Sequence, residues 1–226
     1  MALIPAKISK KGIDAVIEGV SQFLGPQLAD SGSSLRAAVA SHDLAAPHEV
    51  YTLDLSSFSK GLKGAKATGW RYLVMNGEEV IAAAELDRPA KGTIGAPTFS
   101  NVNTGGFVSS SLAALKTAEE LVEVRDTDFQ TRLLQIPAIH VVALWLHGKD
   151  QDLLIRLESA ETDAVRSGKK KQLSQAVSPD EFFSAILEQA KLISQFDDTP
   201  EASRKLAKAD AKKSASKKDV RPSDDQ

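Results

Sequence analysis

Apolar residues between Pro137 and Leu157 fall into two runs, Ile139 to Leu146 and Leu153 to Leu157, separated by the polar break His147-Gly148-Lys149-Asp150-Gln151-Asp152. This is the pattern of an antiparallel hairpin. The first run hardly alternates: valines, leucines, an alanine and Trp145 occupy both faces. The strand is therefore expected at the centre of a sheet with cover on both sides. A second hairpin is marked by Asn76-Gly77 between WRYLVM and EEVIAAAEL, since both central residues of a type I′ turn need positive φ. Trp70, Tyr72 and Val74 share one face, with Leu73 and Met75 on the other. On the returning strand, Val80, Ala82, Ala84 and Leu86 stand opposite Ile81 and Ala83. The alanines leave room for a closely packed helix. Glu49 to Leu55 places Tyr51, Leu53 and Leu55 against Val50, Thr52 and Asp54, the signature of a half-buried strand. Phe129 to Ile136 reads as a short strand or an extended lead into the Pro137 hairpin, with Pro137 at the next strand's first position, where its missing N–H costs least.

Three helices complete the pattern. Ile8, Ile13, Val16, Ile17, Val20, Phe23 and Leu24 form one face of a helix capped by Ser9 and ended by Gly25-Pro26. A second is expected over Ser111 to Leu121, with a serine cap. The third opens at Ser178-Pro179-Asp180-Glu181, with Ser178 as cap, Pro179 at the first position and Glu181 completing a capping box. Its broad face of Phe182, Phe183, Ile186, Leu187, Ala190, Leu192 and Ile193 should be the main cover of the sheet. The connections are a linker over 27–47 with a short helix at Leu35 to Ala40, a loop at Ser56 to Gly69, a long loop from Asp87 to Phe107 and a polar loop from Glu158 to Val177. From Asp197 onward almost no large apolar residue remains, and disorder is expected.

This order predicts an α+β fold: an antiparallel sheet of about five strands, two hairpins plus one strand, packed by two or three helices. Residues 1–47 form an N-terminal helix and low-complexity linker, 48–196 the α+β core domain and 197–226 a Lys/Ala/Ser-rich tail.

Composition narrows the chemistry. The 226 residues, 42% hydrophobic and 26% charged, suffice for one sizeable core. A net charge of -2 supplies no strong field for nucleic acid or an anionic membrane. Cysteine is absent, which removes disulfides, thiolate catalysis and Cys-ligated metal. The N-terminus lacks the apolar core of a signal peptide, and no apolar run approaches the ~20 residues of a spanning helix. A cytoplasmic, soluble protein is the expectation.

Candidate sites are few. Asn101, Asn103 and Thr104 precede Gly105-Gly106 and the serines from Ser109. Glycines next to a helix start could seat an anion, although neither a P-loop nor a dinucleotide fingerprint is present. His147 at the hairpin mouth is the one candidate general base. His140 lies seven residues earlier, on the opposite face of a strand, so the two cannot share a metal. No metal or cofactor is implied. Lys60, Lys63 and Lys66 read as a solvated connector. Trp70 and Tyr72 would be a stacking platform on an open sheet, but core packing is the simpler role. In the tail, Arg204, Lys205, Lys208, Lys212, Lys213, Lys217 and Lys218 among alanine and serine could contact nucleic acid or an acidic partner weakly. The leading expectation is a non-enzymatic binding or assembly protein that meets a protein partner, or itself, through loops or a sheet edge. The alternatives are a small-molecule or nucleotide-binding enzyme using the 87–111 loop, and a weak nucleic-acid binder acting through the tail.

Overall fold

A computed structural model describes residues 3–28, 44–90, 95–157 and 175–194. The expected short helix at Leu35 to Ala40, most of the 158–177 loop and the whole of the 197–226 tail lie outside the described residues. In chain order the elements are β1 (Leu3–Ile4), α1 (Lys10–Leu28), β2 (Leu44–Thr52), a 3₁₀ segment (Leu55–Gly64), β3 (Lys66–Asn76), β4 (Glu79–Asp87), β5 (Thr98–Asn103), α2 (Gly106–Glu120), α3 (Val122–Asp126) and β6 (Phe129–Ile136). There follow a 3₁₀ turn (Pro137–Ile139), β7 (Val141–His147), β8 (Asp152–Leu157) and α4 (Pro179–Ser194).

The fold is α+β, but its sheet has eight strands rather than about five, and it is mixed rather than antiparallel. The strand path runs β5-β4-β3-β2-β6-β7-β8, with β1 attached to β6. The β2–β6 and β1–β6 pairings are parallel. One added strand and the lengthening of another come from segments read as connections. β5 lies inside the 87–107 stretch, and residues 44–48 extend β2 across a register shift at Ala46-Pro47, where Ala46 takes a positive φ of 44°. Bulges interrupt the period-2 pattern from which strands are recognised. The expected loop at Ser56 to Gly69 is instead a 3₁₀ segment broken at Gly61, followed by the start of β3.

The sheet is covered on both faces. On one face α2 and α3 bury Val108, Leu115, Ala118 and Val124 against Val50, Leu73, Ala83, Leu133, Leu144, Leu146 and Ile155. The opposite face is divided. α1 brings Val16 and Val20 to Tyr72, Val74, Ala82, Ala84 and Leu86. α4 brings Phe182, Ile186 and Ala190 to Leu134, Ile136, Ala143, Trp145 and Leu154. β7 is buried on both sides, as its apolar run requires, yet it lies next to the edge strand β8, and the middle of the sheet is β2 and β6.

Local signals hold with small shifts. Ser9 caps α1 through Gly12 N–H at 3.2 Å, but the helix continues to Leu28 past Pro26. The Ser178 capping box is formed in both directions, Glu181 N–H to Ser178 Oγ and Ser178 N–H to Glu181 Oε2, each at 3.3 Å. The β3–β4 turn is centred on Gly77-Glu78, one residue later than the Asn-Gly reading. Only Gly77 has positive φ (62°), as a type II′ rather than a type I′ hairpin requires. α2 starts at Gly106, so Ser109, Ser110 and Ser111 lie inside it. Their hydroxyls donate to the Gly106 and Phe107 carbonyls rather than capping free N–H groups. Pro137 opens a 3₁₀ turn instead of a strand, and this turn ends at His140 in the left-handed region (φ 50°).

Candidate functional site

Asn101 and Asn103 lie on β5, an ordered edge strand, and form part of a polar cluster on the α2 face. Arg71, 5% exposed, donates through Nε to Glu85 Oε1 at 2.9 Å and also through Nη2. Asn103 Nδ2 donates to the same oxygen at 3.3 Å, Asn101 Nδ2 donates to Asn103 Oδ1 at 3.2 Å, and Gln135 Nε2 stands 3.5 Å from Glu85. His48 faces Arg71 across β2 and β3. It is fully buried, and neither ring nitrogen has a hydrogen-bond partner among the described residues. Burial first, then the neighbouring Arg71 charge, push its pKa down to about 3, so the ring is neutral at ordinary pH. Asn103 thus bonds directly to the Arg71–Glu85 ion pair, and the exposed Asn101 reaches it only through Asn103. Thr104 is exposed and Ser109 is bonded to the helix backbone.

His147 is not brought to this cluster: it ends β7, with β4, β3, β2 and β6 intervening between β5 and β7. Its Nδ1 lies 2.7 Å from Asp152 Oδ1, which also accepts the Trp145 Nε1–H at 3.0 Å. A carboxylate orienting an imidazole is half of a general-base arrangement. Asp152 is, however, the only hydrogen-bond partner of that ring among the described residues, and no nucleophile joins it. A shallow groove of about 460 Å³ between the 3₁₀ segment and α4, lined by Phe58, Lys60, Phe183 and Leu187 among others, lies away from both sets.

The richest chemistry is on the opposite face, in one cross-strand row. Strand register pairs Leu86 with Trp70, Trp70 with Glu49, Glu49 with Arg132, Arg132 with Trp145, and Trp145 with Leu154. Directly opposed residues share a face, so both tryptophans of the chain flank a Glu–Arg pair on neighbouring strands. α1 packs over β4 and β5, and α4 over β8 and the 3₁₀ elements. The middle of the row lies between them, with Trp70, Glu49 and Arg132 half-buried. The Arg132 guanidinium stacks on Tyr51 at 5.0 Å and on Trp145 at 4.8 Å, and Arg88 stacks on Trp70 at 4.6 Å. Glu49 is fully engaged: Arg88 donates to Oε1, and the Tyr51 hydroxyl donates to Oε2 at 2.9 Å. Burial, then that hydrogen bond, raise the Tyr51 pKa above its ordinary value. Arg132 makes no ion pair with a carboxylate of the described residues. Its Nη2 donates to Gln130 at 3.0 Å, and its Nε is buried without a partner among the described residues.

Of the proposed stacking pair, Trp70 belongs to this strip, whereas Tyr72 is core, its pKa pushed up to about 12 by burial. Sequence reading did not single out Glu49, Tyr51 or Arg132. A faint signal existed for Arg132, a charge at the same strand parity as Leu134 and Ile136. The tail cations lie outside the described residues. Among the described residues no helix is long and apolar enough to cross a membrane. No group of histidine and acidic residues among the described residues is arranged to hold a metal. Comparison with protein-family models, with curated proteins and with solved structures finds no match.

Proposed function

We propose that this chain is a non-catalytic binding protein that meets a protein partner across the half-buried strip Trp70–Glu49–Arg132, with Tyr51 and Arg88 beside it and the buried Trp145 ring backing Arg132. The observation that carries this reading is the row itself. Trp, Tyr and Arg dominate binding energy at protein interfaces because they combine large apolar area with directional polar groups. Here Trp70, Tyr51, Arg88 and Arg132 gather on a half-buried sheet face, with the Arg132 guanidinium over the buried Trp145 ring. The face is a better recognition surface than the sheet edges. A register shift interrupts the β4–β5 pairing next to one edge, a device that blunts strand addition, and Val177 bridges to Leu154 on the other edge strand.

A random-peptide display library tests the proposal. Selected peptides should quench or shift tryptophan fluorescence, because Trp70 is half-buried in the strip and Trp145 lies against Arg132. Trp70→Leu should weaken them by roughly thirtyfold, equivalent to the ~2 kcal/mol of an interface hot spot. Peptides that bind Trp70→Leu as tightly as wild type, or a library from which none is enriched, would overturn it.

A further inference from the structure

Resting on that reading of the strip, we infer that its partner presents an acidic side chain, whose carboxylate is received by the Arg132 guanidinium. Three observations converge on Arg132. Its guanidinium carbon lies over two rings set edge to face, Tyr51 at 5.0 Å and Trp145 at 4.8 Å, which restrain its donor fork. Its charge has no carboxylate counterpart among the described residues, although Glu49 is its cross-strand neighbour, because Glu49 is occupied by Arg88 and the Tyr51 hydroxyl. Among the described residues the guanidinium's only hydrogen bond is to the neutral Gln130 amide oxygen, which leaves N–H groups to donate.

The surrounding charges set the size of the anion. Glu49 lies on this strip and Asp152 lies beside its Trp145 end, bonded to Trp145 and His147. A phosphate dianion would meet one uncompensated arginine and two carboxylates. A single carboxylate matches the one guanidinium and can accept its paired N–H groups. The half-buried Trp70 further along the row offers an apolar surface for a side chain flanking the acid. An acidic residue in an extended segment next to a leucine-like residue satisfies both features at once, which a free small anion does not.

The probe is the peptide acetyl-Gly-Leu-Glu-Leu-Gly-amide, titrated against the full chain by tryptophan fluorescence. The controls are the same peptide with glutamine for glutamate, that glutamine peptide with a free C-terminal carboxylate, and inorganic phosphate. The inference expects saturable binding of the glutamate peptide, at least tenfold weaker binding of the amidated glutamine peptide, and weakening as salt is raised. Arg132→Gln should abolish the difference between the two peptides. Arg132→Lys, which keeps the charge but loses the fork, should retain part of it. Equal binding of the two amidated peptides, lost in Trp70→Leu, would overturn the carboxylate inference while leaving the strip as a peptide surface. Stronger competition by phosphate or by the free C-terminal carboxylate would overturn the assignment to an acidic side chain. Absence of any peptide response would overturn the inference, and the library selection would then decide separately whether the strip binds protein.

Discussion

Replacing His48 with leucine is expected to stabilise the protein, and to do so more strongly as the pH falls. The side chain is fully buried, and both ring nitrogens lack a hydrogen-bond partner among the described residues. One nitrogen of a neutral imidazole is a donor and the other an acceptor, and each buried polar group left unsatisfied costs about 1–3 kcal/mol. Leucine removes both groups, so a gain of about 1–3 kcal/mol near pH 7.5 remains after an allowance for imperfect packing. Protonation supplies the second effect. Burial, and then Arg71, depress the folded-state pKa from 6.5 to about 3. Between those values the unfolded chain takes up a proton at His48 that the folded chain refuses. Stability is therefore fully present above pH 6.5 and is lost as the pH falls through that window. At about 1.4 kcal/mol per pH unit, the wild type loses roughly 2 kcal/mol by pH 5 at this position, and the leucine variant none. Urea denaturation of both proteins at neutral pH and at about pH 5 measures the two terms together. A variant less stable than wild type at neutral pH, with a gap that does not change on acidification, would refute the reasoning.

Other predictions use the same kind of measurement. Trp145→Ala should cost about 3–5 kcal/mol, because the ring is 5% exposed in the α4 cluster and its N–H is held by Asp152; a wild-type melting curve would contradict its burial. Glu85→Gln should cost about 3 kcal/mol by leaving the Arg71 charge uncompensated, and the pair Arg71→Met with Glu85→Leu should recover most of it. If the double variant is no better than the single, burial of charge is not the cause. Gly69→Ala should destabilise by at least about 2 kcal/mol, since the new Cβ would collide with the Leu86 carbonyl oxygen, which belongs to the neighbouring strand's backbone. Ser178→Ala should lower stability by about 1 kcal/mol through loss of the α4 cap, read from the melting temperature.

The candidate site was only partly legible before the structure. Trp70 stood out because aromatics on strands draw attention, and Tyr72 stood out equally, yet one lies in the strip and the other in the core. Both lie on the α1 face of β3; what separates them is how far cover extends along the strand, which leaves Tyr72 buried and Trp70 half-buried. Asn101, Asn103 and Thr104 drew attention as a loop before glycines. The strand that Asn101 and Asn103 belong to, and the Arg71–Glu85 pair that Asn103 bonds, depend on contacts across three strands, whereas Thr104 is left exposed. Arg132 and Tyr51 passed unnoticed because each is an ordinary residue in its own segment, and only their stacking gives them meaning.

The sequence alone determined the features whose cause is local. The β3–β4 and β7–β8 hairpins follow from apolar runs around short polar breaks, the α4 start follows from a four-residue capping box, and the two-sided burial of β7 follows from a run with no polar face. The tertiary structure alone decided the parallel joining of β2 to β6, the recruitment of β1 and β5, and therefore the strand order. Such pairings unite residues remote in the chain, and their free energy comes from register and from burial against other elements, neither of which leaves a periodic trace in either strand. The row from Trp70 to Trp145 exists only through that joining, because Glu49 and Arg132 become neighbours only where β2 meets β6.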